Sequence, residues 1–135
     1  MASTKLDPYL FFAGNCREAM ECYHSIFGGE LKITTMGEAM GEHAGDRKDQ
    51  IMHADLSGGG IELMASDSDR KESYETSCIS LSISGTDSDT ITGYFNALAE
   101  GGKITTELKK ESWGDMFGTV TDKFGIDWMV NIGEA

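Results

Sequence analysis

A histidine and two carboxylates, His53, Asp55 and Glu62, fall within one ten-residue stretch of the chain. Imidazole is the side chain that exchanges its proton near neutrality. Carboxylates crowded beside it in a cleft acquire the separated proton affinities that acid–base work needs. His53 and Glu62 are therefore the candidate catalytic residues; a solvated, hydrogen-bonded patch on an open sheet is the competing reading of the same set. The glycines of Ser57-Gly58-Gly59-Gly60 suit a two-residue hairpin turn with Gly58 and Gly59 at its centre. That register sets Leu56 opposite Ile61, Asp55 opposite Glu62, Ala54 opposite Leu63 and His53 opposite Met64. Strand alternation then gathers the four apolar residues on one face, and His53, Asp55, Glu62 and Met64 on the other. Two carboxylates directly opposed destabilise a strand pair. The register thus calls for a shared proton, an imidazolium, a cation or water between Asp55 and Glu62.

Other side chains suit a ligand more than a reaction. Trp113, with Phe117 nearby, can stack on a planar molecule or close a sheet structurally. Met64, Met129, Met52 and Met116 can give a polarizable, adaptable wall, or fill a core. Cys78 falls on one strand face with Ser80 and Ser82, opposite Ile79, Leu81 and Ile83. No base stands beside it in sequence, so an inert buried thiol competes with a nucleophile. Asp127, Met129 and Asn131 alternate in the same way with Ile126, Trp128 and Val130. The candidate ligand-binding set is therefore Asp55, Met64, Cys78, Trp113, Phe117 and Met129. Asp67-Ser68-Asp69 opens like a calcium loop, but the required glycine and terminal glutamate do not follow. His24 and His43 read as surface residues.

The elements that position these groups are legible as periodicity. Cys16, Ala19, Met20, Tyr23, Ile26 and Phe27 form one helical face, with Asn15 and Glu18 as capping residues and Gly28 at the end. Ile91, Tyr94, Phe95 and Leu98 mark a second helix, stopped by Gly101. Strands are predicted over 9–12, 30–36, 50–56, 60–65, 78–83, 103–108, 116–121 and 126–132, giving β-α-β-β-β twice. Two echoes support a duplication. Gly28-Gly29 with Ile33-Thr34-Thr35 is answered by Gly101-Gly102 with Ile104-Thr105-Thr106, and Gly60 to Met64 by Gly125 to Met129. Residues 37–49, polar and glycine-rich, read as a flap near a site or a disordered connection. Residues 66–76 read as the link between halves.

The chain has 135 residues, with 11 Lys and Arg against 23 Asp and Glu, a net charge of −12. That balance argues against a nucleic-acid backbone as partner, which needs a basic face. No apolar run is long enough to span a bilayer, and the first residues lack a secretory signal. Three cysteines without a CxxC pattern suggest reduced thiols and a cytoplasmic location.

Several segments resemble a known family. They are Pro8-Tyr9-Leu10-Phe11-Phe12, Gly14 to Met20, Phe27-Gly28-Gly29-Glu30, Ile51-Met52-His53-Ala54 and Leu63 to Asp67. Trp113-Gly114-Asp115-Met116-Phe117-Gly118, Asp122-Lys123-Phe124-Gly125 and Trp128 complete the pattern. Together they resemble the PhnB-like branch of the glyoxalase/bleomycin-resistance (vicinal oxygen chelate) superfamily. The resemblance implies an α+β fold: one domain over 1–135, of two βαβββ modules (about 5–68 and about 76–135), whose curved mixed sheets form a cleft, usually within a homodimer. Metal-dependent members hold a divalent ion with His and Glu on the first and last strands of each module. Here those strands offer Pro8 or its neighbour, Cys78, Met129, and either Glu62 or Met64. At most one hard ligand remains, so no standard metal site and no cofactor are expected. The expected function is binding of a small organic molecule, with or without a reaction. The alternatives are a metal-dependent lyase or dioxygenase using Glu62 and His53, and sequestration of a cationic toxic compound. Some members of the branch bear a ubiquinone-pathway methyltransferase label. Gly58-Gly59-Gly60, as a hairpin turn, is not the glycine-rich strand-to-helix bend that receives a nucleotide-like cofactor.

Overall fold

Alternation and helical spacing resolve into two similar units in the computed structural model, which describes residues 6–68 and 79–134. The first unit contains β1 (Tyr9–Phe12), α1 (Cys16–Phe27), β2 (Glu30–Thr35), a short α2 (Met36–Met40), β3 (Ile51–Gly58) and β4 (Ile61–Asp67). The second contains β5 (Leu81–Gly85), α3 (Ser88–Ala99), β6 (Lys103–Lys110), β7 (Met116–Thr121) and β8 (Asp127–Ile132). The compact units are Met1–Glu72 and Ser73–Ala135. Each carries one mixed four-stranded sheet, ordered β1-β4-β3-β2 and β5-β8-β7-β6. In both, the first strand runs parallel to the last and the other pairings are antiparallel. The class is α+β, as expected. β5 begins at Leu81, later than the expected 78, and Ile79 is 70% exposed.

The repeat extends to individual hydrogen bonds. The Ser68 N–H donates to the Phe12 carbonyl at 2.7 Å, and the Gly133 N–H donates to the Gly85 carbonyl at 2.8 Å. Tyr9 beside Met64 corresponds to Ser82 beside Met129, and Ala54 opposite Ala65 to Gly118 opposite Val130. A β-carbon on Gly29 would lie 2.5 Å from the Ser57 carbonyl oxygen; one on Gly102 would lie 2.3 Å from that of Thr121. The glycine half of the first sequence echo therefore marks true counterparts. Its Ile-Thr-Thr half is displaced by two residues, because Leu31 and Ile104 are the residues that share a place, opposite Leu56 and Val120.

α1 lies across β2, β3 and β4, burying Cys16, Ala19, Met20 and Tyr23 against Ala54, Leu56, Leu63 and Ala65. α3 covers β5, β7 and β8 with Ile91, Phe95 and Leu98. Gly118 makes room there: a β-carbon would stand 2.9 Å from the Phe95 ring. Trp128, Val130 and Ile132 complete that core.

Two local expectations are corrected. Asn15 stands at the start of α1 but its side chain makes no capping bond. The buried carboxylate of Asp67, at the end of β4, takes that role. Its Oδ1 accepts from the N–H groups of Gly14 (3.0 Å) and Cys16 (2.9 Å), and its Oδ2 from the N–H of Ile51 (2.8 Å). Residues 37–49 are largely helical rather than an irregular connection. Thr35 and Glu38 form a reciprocal capping box that starts α2, and a 3₁₀ stretch over Gly41–Arg47 follows, kinked at Gly45. Met36 and Ala44 are buried and anchor this segment.

Candidate functional site

Each sheet buries one face under its helix, which leaves the other face to carry the exposed polar side chains. On the first sheet that face carries His53 and Asp55 of β3, Glu62 and Met64 of β4, Tyr9 and Phe11 of β1, and Lys32 of β2. Alternation within the strands and the partner register align them. The hairpin register differs from expectation by two residues. Leu56 pairs with Leu63, Asp55 with Met64, Ser57 with Glu62 and Gly58 with Ile61. Gly59 and Gly60, with φ of 61° and 89°, form the turn instead of Gly58 and Gly59. Because the slip is even, every side chain keeps its predicted face, whereas an odd slip would have reversed them all.

The slip removes the expected acidic conflict. Asp55 lies between Lys32 on β2 and Met64 on β4, and Glu62 lies beside Ser57. His53 and Glu62 share a face but stand four residues apart along the hairpin, about 13 Å at the ordinary strand rise. They are not brought together as a pair. His53 is joined instead by Tyr9, whose phenol crosses over β4 to place its oxygen 3.1 Å from Nδ1 of the imidazole. The two rings lie 5.7 Å apart, and Phe11 packs 5.1 Å from the Tyr9 ring. Tyr9 and Phe11 remain 38% and 44% exposed. Sequence reading placed Tyr9 on β1 without giving it a role. Its alternation was legible, but the parallel pairing that brings it over His53 was not.

The second sheet carries different chemistry at matching positions. Phe117 occupies the place of His53, Thr119 that of Asp55, Ser82 that of Tyr9 and Asp127 that of Glu62; Met129 repeats Met64. Trp113 is 60% exposed and meets Phe117 edge to face, with ring centres 5.9 Å apart. The acids here are engaged locally: Asp115 Oδ2 accepts from the Asn131 amide at 2.9 Å, and Asp127 from the Thr121 hydroxyl at 2.7 Å. Asp122, buried, accepts from the N–H groups of Phe124 and Ile126 and from the Trp128 indole. Cys78 lies outside the described residues. Met52 is the extra residue of a bulge in β3 and is exposed; Met116 pairs with Ile132.

Among the described residues, no group of three or more His, Cys, Asp or Glu side chains could hold a metal ion. The fourth-strand residue beside Tyr9 is Met64, a soft thioether, and the nearest hard candidate, Glu62, is displaced along the strand. Among the described residues, the donor set therefore does not fit the oxygen-and-nitrogen metal site of glyoxalase-like proteins. The starts of both long helices already carry a carboxylate. Asp67 already takes two N–H groups before and within the first turn of α1, and Asp87 takes the Thr90 N–H of α3. Among the described residues no helix is long and apolar enough to cross a membrane.

Comparison with known proteins places this geometry. Residues 4–131 match the family model described as 3-demethylubiquinone-9 3-methyltransferase. Protein YjdN of Escherichia coli K12 is 32% identical over 138 residues, covering 94% of each chain. The crystal structure of protein PA1353 from Pseudomonas aeruginosa is 41% identical, covers 98% of this chain and 100% of its own, and superposes with a TM-score of 0.83. A PhnB protein from Bacillus cereus bearing the same family description is 26% identical (96% and 100% covered, TM-score 0.78). More distant structures share the fold alone. These include the fosfomycin resistance protein FosX from Mesorhizobium loti (9% identical, TM-score 0.61) and a glyoxalase family protein from Enterococcus faecalis (18%, 0.60).

Proposed function

The chain belongs to the 3-demethylubiquinone-9 3-methyltransferase (PhnB-like) family, with a glyoxalase-like fold, and from that premise we propose that it binds a small organic molecule on the open face of its first sheet. One observation carries the reading: an exposed tyrosine spans a whole strand to hydrogen-bond His53, on the face its helix does not cover. Phe11 extends the aromatic surface, Met64 gives it a polarizable floor, and Asp55 supplies charge beside Lys32. A few converging polar groups within an apolar and aromatic surround are what a small-ligand site requires. The family description names methyl transfer; in the first turns of α1 and α3 the Cys16 and Thr90 N–H groups are engaged by Asp67 and Asp87, which place a negative charge where a phosphate-bearing methyl donor would sit.

The test is NMR of protein carrying labelled methionine methyls and histidine rings, titrated with a panel of planar neutral and cationic compounds. Binding compounds are expected to shift Met64 and His53. The response should be lost in His53→Phe, which supplies the second sheet's own residue and leaves the fold intact by circular dichroism. Responses confined to Met129 and Met116, or unchanged in His53→Phe, would overturn the assignment.

A further inference from the structure

The Tyr9–His53 contact fixes more than a ring position. Neutral imidazole has one N–H and one bare nitrogen, and the partner of one nitrogen decides which is which. The Tyr9 oxygen faces Nδ1 at 3.1 Å. A phenol is a better donor than acceptor, and a bare imidazole nitrogen is a better acceptor than a phenol oxygen. The pairing is therefore strongest with the Tyr9 O–H donating to Nδ1. We propose that Tyr9 is a positioning residue that holds His53 in the tautomer protonated at Nε2, so that the open face presents an N–H donor. On the binding reading above, on which this half rests, the ligand class is then one offering an acceptor oxygen: a carbonyl, a carboxylate or an oxyanion.

The molecule contains its own reference. Nε2 of His24 lies 3.1 Å from the Gly29 carbonyl, which can only accept, so that ring must carry its proton on Nε2. Long-range nitrogen–proton correlation spectra of the ligand-free protein, assigned with His53→Gln, report the tautomer of each ring at a pH where it is neutral. His53 should match His24, with Nδ1 bare. Tyr9→Phe should move the tautomer ratio of His53 about two- to tenfold toward protonated Nδ1, as expected for one neutral hydrogen bond, and leave His24 unchanged. A wild-type His53 protonated at Nδ1, or a ratio indifferent to Tyr9→Phe, would overturn the proposal. Acetophenone and toluene then probe the ligand class. Acetophenone alone should displace the His53 Nε2 signals, and equal effects from both would refute the acceptor preference. No response to either, with the tautomer as expected, would sink the binding site and leave the positioning role of Tyr9 standing.

Discussion

The two units begin their helices in opposite ways. α3 is capped by the residue beside it: Asp87 accepts from the Thr90 N–H and hydroxyl, in the open. α1 is capped from across the unit by Asp67, 51 residues from the Cys16 N–H it receives, and buried. Where Asp67 stands in the first sheet, the second has the buried apolar Ile132. A local cap is adjustable and solvated, whereas a remote one ties the β1–α1 bend, β3 and β4 to a single carboxylate. The open faces differ in parallel. The first sheet keeps Tyr9, His53 and Asp55 where the second has Ser82, Phe117 and Thr119. One scaffold built twice thus carries the phenol–imidazole pair on the unit tied together by Asp67, while the acids of the second unit, Asp115, Asp122 and Asp127, are bonded to groups nearby in sequence or in the sheet.

Substitutions at paired positions can break this contrast. Asp67→Ala leaves three N–H groups without their acceptor, two of them in the buried bonds to Cys16 and Ile51, and should destabilise by about 3–5 kcal/mol in urea titration. Asp87→Ala should do much less, and near-equal losses would erase the distinction between remote and local capping. Gly29→Ala and Gly102→Ala should each cost about 1–3 kcal/mol, since both β-carbons would strike a carbonyl oxygen. Gly29 should be the worse, because its φ of 84° adds backbone strain. A Gly102→Ala protein of wild-type stability would show that the second unit yields where the first does not.

The smallest effect concerns Cys16, which has no counterpart thiol in the second unit. Burial, and then the Asp67 carboxylate, push its thiol up from 9.0 to about 12, against a smaller pull from Arg17. The folded state therefore favours the neutral thiol. That contribution is complete below pH 9.0 and is lost as pH rises toward about 12. The stability gap between wild type and Cys16→Ala should narrow when measured at rising pH above 9.0, and a constant gap would rule the thiol out as the cause. Asp87 has the opposite sign. The Thr90 hydroxyl and then its N–H lower its proton affinity, so its contribution fades as pH falls through the carboxylate range.

What the sequence revealed follows the same line between local and remote. Both long helices and the strands were legible from spacing, and strand faces survived a wrong turn because the error was even. The Thr35 and Glu38 box was also local, but Gly37, Gly41 and Gly45 around it favoured an irregular loop. Asp67 and Tyr9 stood in family motifs, and Asp67 at the opening of a discarded calcium loop, but neither had its actual partner. Each acts on a partner tens of residues away, across a parallel pairing that leaves no periodic trace. His53 was a candidate by residue type alone; its hydrogen-bond partner Tyr9 is visible only in the fold.

Parallel pairing of β1 with β4 also sets a schedule for synthesis. Tyr9 is made early, but the strand it must lie beside is the last of its unit to be translated, and His53 itself comes 44 residues later. A partial chain ending before β4 lacks the strand that lies between the phenol and the imidazole, so their contact waits until the first sheet is whole.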